Sequence, residues 1–375
     1  MVNIKTPLLI GIISIVLIAA ASLSFILPPR VEERTITQTY STTLLQTLPI
    51  TITQTQTLMV RDTLTITQSS LVTKIEERTI TQTLPTTITQ VQFKEPEPLY
   101  PITLVDGFKR AVTLDKEPMR IVSLAPSVTE ILFAIEAEDK IVGVDKFSDY
   151  PKEVLDRVKE GKIVLVGGIV DPTLEKIIEL RPDVVIFGLE LQKKLVSRFE
   201  ERGIKVLGFG PASLEELYQK ILTIGKAVNR EKQAIMLVNS MKDKVDEIVK
   251  KVKQAKERPK VYYEVWPNPL ISVSKGSWIH DLINLAGGIN IFENATAPYP
   301  IVSSESVIQA NPDIIILPYE IKVEDVKSRA GWDKINAVKN NRIFQIDGNL
   351  VNRSGPRIVE GLELLAKIIH PELFK

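Results

Sequence analysis

The run from Arg230 to Arg258 constrains this chain more than any other stretch. On a helical wheel Ile235, Leu237, Val238, Met241, Val245, Ile248, Val249 and Val252 recur at steps of three and four. Lys and Glu fill the opposite face, and no Gly or Pro interrupts until Pro259. At ~1.5 Å per residue the spacing predicts one continuous rod of about 40 Å, from about residue 230 to about 257. On each side, short β-branched runs alternate with amphipathic segments, the pattern of parallel α/β lobes. A stiff helix between two such lobes predicts a bilobed protein with a cleft and a limited hinge.

Five segments follow. Residues 1–27 contain an uncharged, mostly apolar run, Pro7 to Leu27, just long enough to span a bilayer. It reads as a membrane anchor with the N-terminus in the cytoplasm; Ala19-Ala20-Ala21 keeps a cleaved signal peptide open as the alternative. Residues 28–99 are a Thr/Gln-rich stalk in which 31–39 (VEERTITQT) return as 75–83 (IEERTITQT). Such composition is that of glycosylated extracellular stalks, a spacer too polar to form a core, although Thr alternating with Ile or Leu is also a strand pattern. The N-terminal lobe is expected over 100–228, the backbone helix over 229–258 and the C-terminal lobe over 259–375.

Composition removes several function classes. A net charge of +1 argues against nucleic acid as a partner, and the absence of cysteine excludes disulfides, thiolate metal sites, cysteine nucleophiles and a lipid-modified N-terminal cysteine. With His280 and His370 as the only imidazoles, a multi-histidine metal site is not expected.

One segment occurs twice. Residues 172–187 (PTLEKIIELRPDVVIF) are echoed by 303–317 (SSESVIQANPDIIIL), so Glu175 and Glu305 each precede a Pro-Asp pair at the same offset. Both therefore belong near the start of equivalent helices, one per lobe. The helix dipole favours an acid there in any case, and paired acids on a pseudo-twofold surface would also suit a partner with twofold symmetry.

Residues 123–130 (SLAPSVTE), Asp149-Tyr150-Pro151, 264–269 (EVWPNP), 285–288 (LAGG) and 353–357 (RSGPR) carry a resemblance. From about residue 100 to 375 the chain resembles the cobalamin- and iron-chelate-binding proteins of ABC importers, extracytoplasmic receptors with a helical backbone. The resemblance implies a class III periplasmic-binding-protein fold of two Rossmann-like α/β lobes, a monomer without catalytic activity or resident cofactor, and an ABC permease dimer with its ATPase as partner. It implies salt bridges from Glu175 and Glu305 to arginines on the two permease subunits, contact of Tyr150 and Tyr299 with a corrin, and an Arg353 that reaches polar groups of the cargo. At Ile135-Glu136 the chain departs from the family's usual Leu-Gly helix stop.

Ser127, Tyr150, Trp266, Tyr299 and Arg353 are the candidate ligand residues, with Trp278 as a further aromatic. Flat cargo needs aromatic faces and a few placed polar groups, while each of these aromatics is equally open to a reading as packing. Asn294-Ala295-Thr296 and Asn352-Arg353-Ser354 are glycosylation triplets, and their expected place near the cleft rim argues against modification. The cargo expectation leans to cobalamin, with a ferric siderophore or haem as the alternative. A metal-chelatase-like enzyme and a stalked receptor that adheres or signals are rival classes. The chain has no phosphate loop, and Gly208-Phe209-Gly210 is half a dinucleotide fingerprint.

Overall fold

The computed structural model describes residues 31–44, 52–60, 64–72, 80–93, 100–318 and 321–374. The chain divides into two units, 1–97 and 98–375. In the first, β1 (Val31–Leu44) pairs antiparallel with β4 (Ile80–Phe93), and β2 (Ile52–Val60) with β3 (Leu64–Val72). The Thr/Ile alternation is thus realised as ribbon. The apolar run at 7–27 lies outside the described residues, among which no helix is long and apolar enough to cross a membrane.

The second unit opens with the hairpin β5 (Ile102–Val105) and β6 (Ala111–Leu114). A parallel sheet follows, built from β7 (Ile121–Ser123), β8 (Ile141–Val144), β9 (Val164–Leu165), β10 (Val184–Phe187) and β11 (Lys205–Gly208) in the order β11-β10-β7-β8-β9. Between these strands run α1 (Pro126–Ala134), α2 (Glu153–Lys159), α3 (Leu174–Glu179) and α4 (Val196–Glu200). The chain then passes through α5 (Leu214–Ala227) and α6 (Glu231–Val252) to a second sheet. There β12 (Lys260–Tyr263) is followed by the small hairpin β13 (Trp266–Pro267) and β14 (Leu270–Ile271), then α7 (Trp278–Leu285), β15 (Ile289–Asn290), α8 (Ser304–Ala310) and β16 (Ile314–Pro318). After α9 (Val323–Lys327) and α10 (Asn336–Lys339) come β17 (Ile343–Ile346), α11 (Asn349–Asn352) and α12 (Ile358–Ile369). The parallel order is β15-β12-β16-β17. Both sheets are doubly wound, reversing direction between β7 and β10 and between β12 and β16, where crevices open beyond the strands' carboxyl ends.

The repeated segment has a physical meaning in both lobes. Arg181 and Asn311, just before each Pro-Asp pair, adopt the left-handed conformation (φ 44° and 47°) that ends α3 and α8. Asp183 then accepts from the Arg120 backbone N–H, and Asp313 from that of Lys260, each at 2.9–3.0 Å. Each aspartate fastens its strand to the neighbouring central strand, β7 or β12. Thr173 and Ser303 stand at the two N-caps, which makes Glu175 and Glu305 the second residue of each helix, and both are exposed.

The rod is shorter than its period suggests. α6 stops at Val252, the last residue of the run to be buried; from Lys253 to Arg258 the side chains are exposed or half-buried. Without an apolar face to bury, the last turns gain too little to stay helical. Val238, Met241, Val245 and Ile248 belong to one apolar core that continues into both lobes. The segment before β11 is likewise broken, into a 3₁₀ turn (Glu190–Leu195) and α4. At the departure noted after α1, Glu136 itself takes the left-handed conformation (φ 59°).

Candidate functional site

The crevice of the C-terminal lobe is a concavity of about 600 Å³ lined by Val265, Trp266, Pro318, Asp347, Asn349 and Asn352. These residues follow the carboxyl ends of β12, β16 and β17. Trp266 is 50% exposed on the β13–β14 hairpin, its indole N–H donating to Asn268 O at 2.9 Å. Asn352 accepts from the Tyr263 hydroxyl at 2.7 Å. The size suits a small-molecule ligand, and an indole face beside carboxamides and a carboxylate can stack on a flat molecule and hydrogen-bond its edge.

A second concavity of about 590 Å³ lies where α1, α6 and α12 meet, lined by Phe133, Tyr150, Leu237, Met241 and Arg357 among others. The structure thus separates Tyr150 from Trp266. The Arg357 guanidinium sits 3.8 Å from the centre of the Tyr150 ring and occupies one face of it. Tyr299 lines neither concavity. It is 40% exposed and meets Trp278 edge to face at 6.3 Å, while the Trp278 indole N–H donates to Val351 O.

Two of the expected ligand residues are engaged between the lobes instead. Arg353 donates to Asp149 (2.7 Å), to Glu130 (3.2 Å) and to the Phe147 carbonyl (3.3 Å). Arg357 grips the same Glu130 through Nε (3.2 Å) and Nη2 (2.7 Å). Glu130, Asp149 and Phe147 belong to the N-terminal lobe and the arginines to the C-terminal lobe, so one carboxylate, only 4% exposed, carries two guanidiniums across the interface. Ser127, expected to face the cleft, is enclosed between the lobes as well. It is 3% exposed, and its hydroxyl accepts from Lys220 at 2.9 Å. The N-terminus of α1 is covered by the 353–357 segment, packed closely enough that a Cβ on Gly355 would lie 3.0 Å from Glu130 Oε2 and in ordinary contact, 3.4 Å, with Ser127 Cα.

Lys220 completes the brace. It is 1% exposed on α5, and its amine also donates to Ser354 O at 3.2 Å. Burial pushes its pKa down to about 7 even though Glu130 is close enough to favour the charge. A neutral amine has two N–H donors, and two acceptors are present. Asp145, fully buried at the end of β8, is pushed up by the same loss of water, although Ser148, the Phe147 N–H and Arg353 oppose this. Sequence reasoning quoted Glu130, Asp149 and Arg357 within the resemblance motifs without giving them a role of their own, and passed over Lys220. The available signal was an acid inside the apolar run of α1 and a lysine inside the Leu217, Ile221, Ile224 stripe of α5.

Comparison with known proteins places this architecture. The chain is 36% identical over 289 residues to an uncharacterized ABC transporter substrate-binding lipoprotein, YvrC, of Bacillus subtilis, an alignment that covers 75% of this chain and 90% of the relative. It is 27% identical over 257 residues to the vitamin B12-binding protein of Vibrio parahaemolyticus, covering 68% and 91%. A solved structure from Staphylococcus epidermidis, described as a possible iron-binding (periplasmic solute-binding) protein, superposes with a TM-score of 0.60 at 36% identity, over 68% of this chain and all of that one. Residues 121–350 match the family described as periplasmic binding protein, and with two doubly wound lobes joined through one long helix, the class III form of that fold, the chain belongs to this family.

Proposed function

We propose that the chain is the solute-binding component of an ABC importer, capturing a corrinoid in the interlobe cleft and delivering it to a permease dimer. The observation that carries this reading is the crevice at the β12/β16 reversal, open, partly aromatic and of ligand size, in a fold shared with substrate-binding and B12-binding relatives. A ferric chelate or haem is the second reading, favoured by the possible iron-binding protein of S. epidermidis. Titration of the soluble fragment with cobalamin, haem and ferric siderophores tests the two against each other. Cobalamin should bind most tightly; saturation by a ferric chelate alone would transfer the assignment. Trp266→Ala should weaken binding by tenfold or more with Tm unchanged, since a stacked ring contributes ~1 kcal/mol beyond its buried area. Unaltered affinity in this variant would move the cargo elsewhere.

Glu175 and Glu305 are the proposed docking points for the permease. Each is the exposed second residue of a matching helix, and the Glu305 carboxylate is held below its usual range by its own backbone N–H and the Ser303 hydroxyl. Exposed ion pairs contribute only ~0–1 kcal/mol apiece, so they orient docking more than hold it. The double reversal Glu175→Arg with Glu305→Arg should impair uptake more than either single change, with cargo affinity intact. Normal uptake by the double variant would reduce both to ordinary helix-start acids.

The run at 7–27 is the proposed membrane tether, in place of the lipid carried by a lipoprotein relative. Full-length protein should remain with membranes through a high-salt wash, because hydrophobic insertion is not screened. Release of a species beginning near Ser22 would instead mark a cleaved signal.

A further inference from the structure

The two glycosylation triplets look alike as sequence and differ in the fold. At the second, Asn352 is the last residue of α11, partly buried in the cleft wall and accepting from Tyr263. The hydroxyl that such a triplet needs belongs to Ser354, 2% exposed between the lobes, while Arg353 between them is fixed to Glu130 and Asp149. At the first, Asn294 and Thr296 are both exposed in the irregular segment between β15 and α8, and Asn294 lines neither concavity. That segment is held in place from below. The Ser274 hydroxyl lies 2.6 Å from Ala297 O and 3.2 Å from Ala295 O, and the Ala295 N–H closes a turn onto Phe292 O. Asn294 Oδ1 accepts from the exposed Lys275 at 3.3 Å, and its carboxamide N–H groups make no hydrogen bond among the described residues.

We infer that Asn294 is an N-glycosylation site, and the one triplet of the two that the folded protein offers to a transferase. The inference rests on the extracellular placement of the binding unit. The donor is a lipid-pyrophosphate-linked oligosaccharide. The Asn294 carboxamide nitrogen attacks the anomeric carbon, the new C–N bond forms as the C–O bond to pyrophosphate breaks, and the lipid pyrophosphate leaves with that electron pair. The amide proton passes to a basic group of the transferase, and no change of oxidation state occurs.

Full-length protein isolated from its native membranes tests this by glycopeptide mass spectrometry. The peptide that contains Asn294 should carry a whole-oligosaccharide mass shift, lost in Asn294→Gln and in Thr296→Ala and retained in Asn352→Gln. Protease accessibility of the binding unit on intact cells reports its placement separately. An accessible unit with bare Asn294, or with sugar on Asn352 in its stead, would overturn the site alone; a protected unit would overturn the placement and the site together.

Discussion

Glu130→Ala should lower the stability of the binding unit by about 3–5 kcal/mol, the usual cost of removing one partner from a buried ion pair. Two guanidiniums depend on this carboxylate, with side chains only 13% and 14% exposed, and burial has already been offset for both by its charge. The effect on Arg357 is visible in its pKa, which burial alone would depress and which Glu130 holds above the ordinary value. Urea unfolding is the measurement, with the midpoint falling and the dependence on denaturant unchanged. Glu130→Gln keeps acceptor geometry without charge and should fall between wild type and Ala. A shift of less than about 1 kcal/mol for Ala would mean that water and the remaining partner Asp149 take over the arginines.

Lys220→Met should remove a pH dependence that wild type displays. In the folded protein the amine titrates near 7 and in the unfolded chain near 10.5, so between those values the unfolded state binds more protons. Stability therefore rises with pH across that window, and below about pH 7 the full penalty of the buried charge is present. Wild type should gain a few kcal/mol between pH 7 and about pH 9, each pH unit inside the window being worth about 1.4 kcal/mol, while the Met variant stays flat. The range ends there because Tyr100 and Tyr218, pushed up to about 12 by burial, begin to oppose the trend once unfolded tyrosine ionises. Parallel curves for wild type and variant would show that water reaches this amine in solution.

The sequence was legible where the signal was local. The long helix showed itself through period, and the duplicated Pro-Asp segment through identity at a fixed offset, which the aspartate bridges to β7 and β12 explain. The brace was not legible. Glu130 and Arg357 are 227 positions apart, and Lys220 and Ser354 are 134 apart. Nothing near Lys220 in sequence announces that an apolar stripe will bury its amine. The burial of Ser127 was hidden for the same reason: a serine at a helix N-terminus faces a cleft unless another segment covers it, and the covering segment begins more than two hundred residues later. Of the crevice lining, Trp266 was named from its residue type, whereas Asp347 and Asn349 became visible only when the strand ends were placed.

The single passage of the chain between the lobes also fixes an order of assembly. Every strand of the first sheet lies between residues 121 and 208, and every strand of the second between 260 and 346; neither sheet borrows from the other. On a chain that emerges from its N-terminus, the first lobe has its full set of strands while the second is still unmade, and can fold as a unit. Its Glu130 and Asp149 then face water until residues 353–357 arrive to dock on them. On this order the docking of residues 353–357 comes late, and a chain truncated before Arg353 would possess both sheets and the shared core along α6 but lack the ion pairs that brace the lobes.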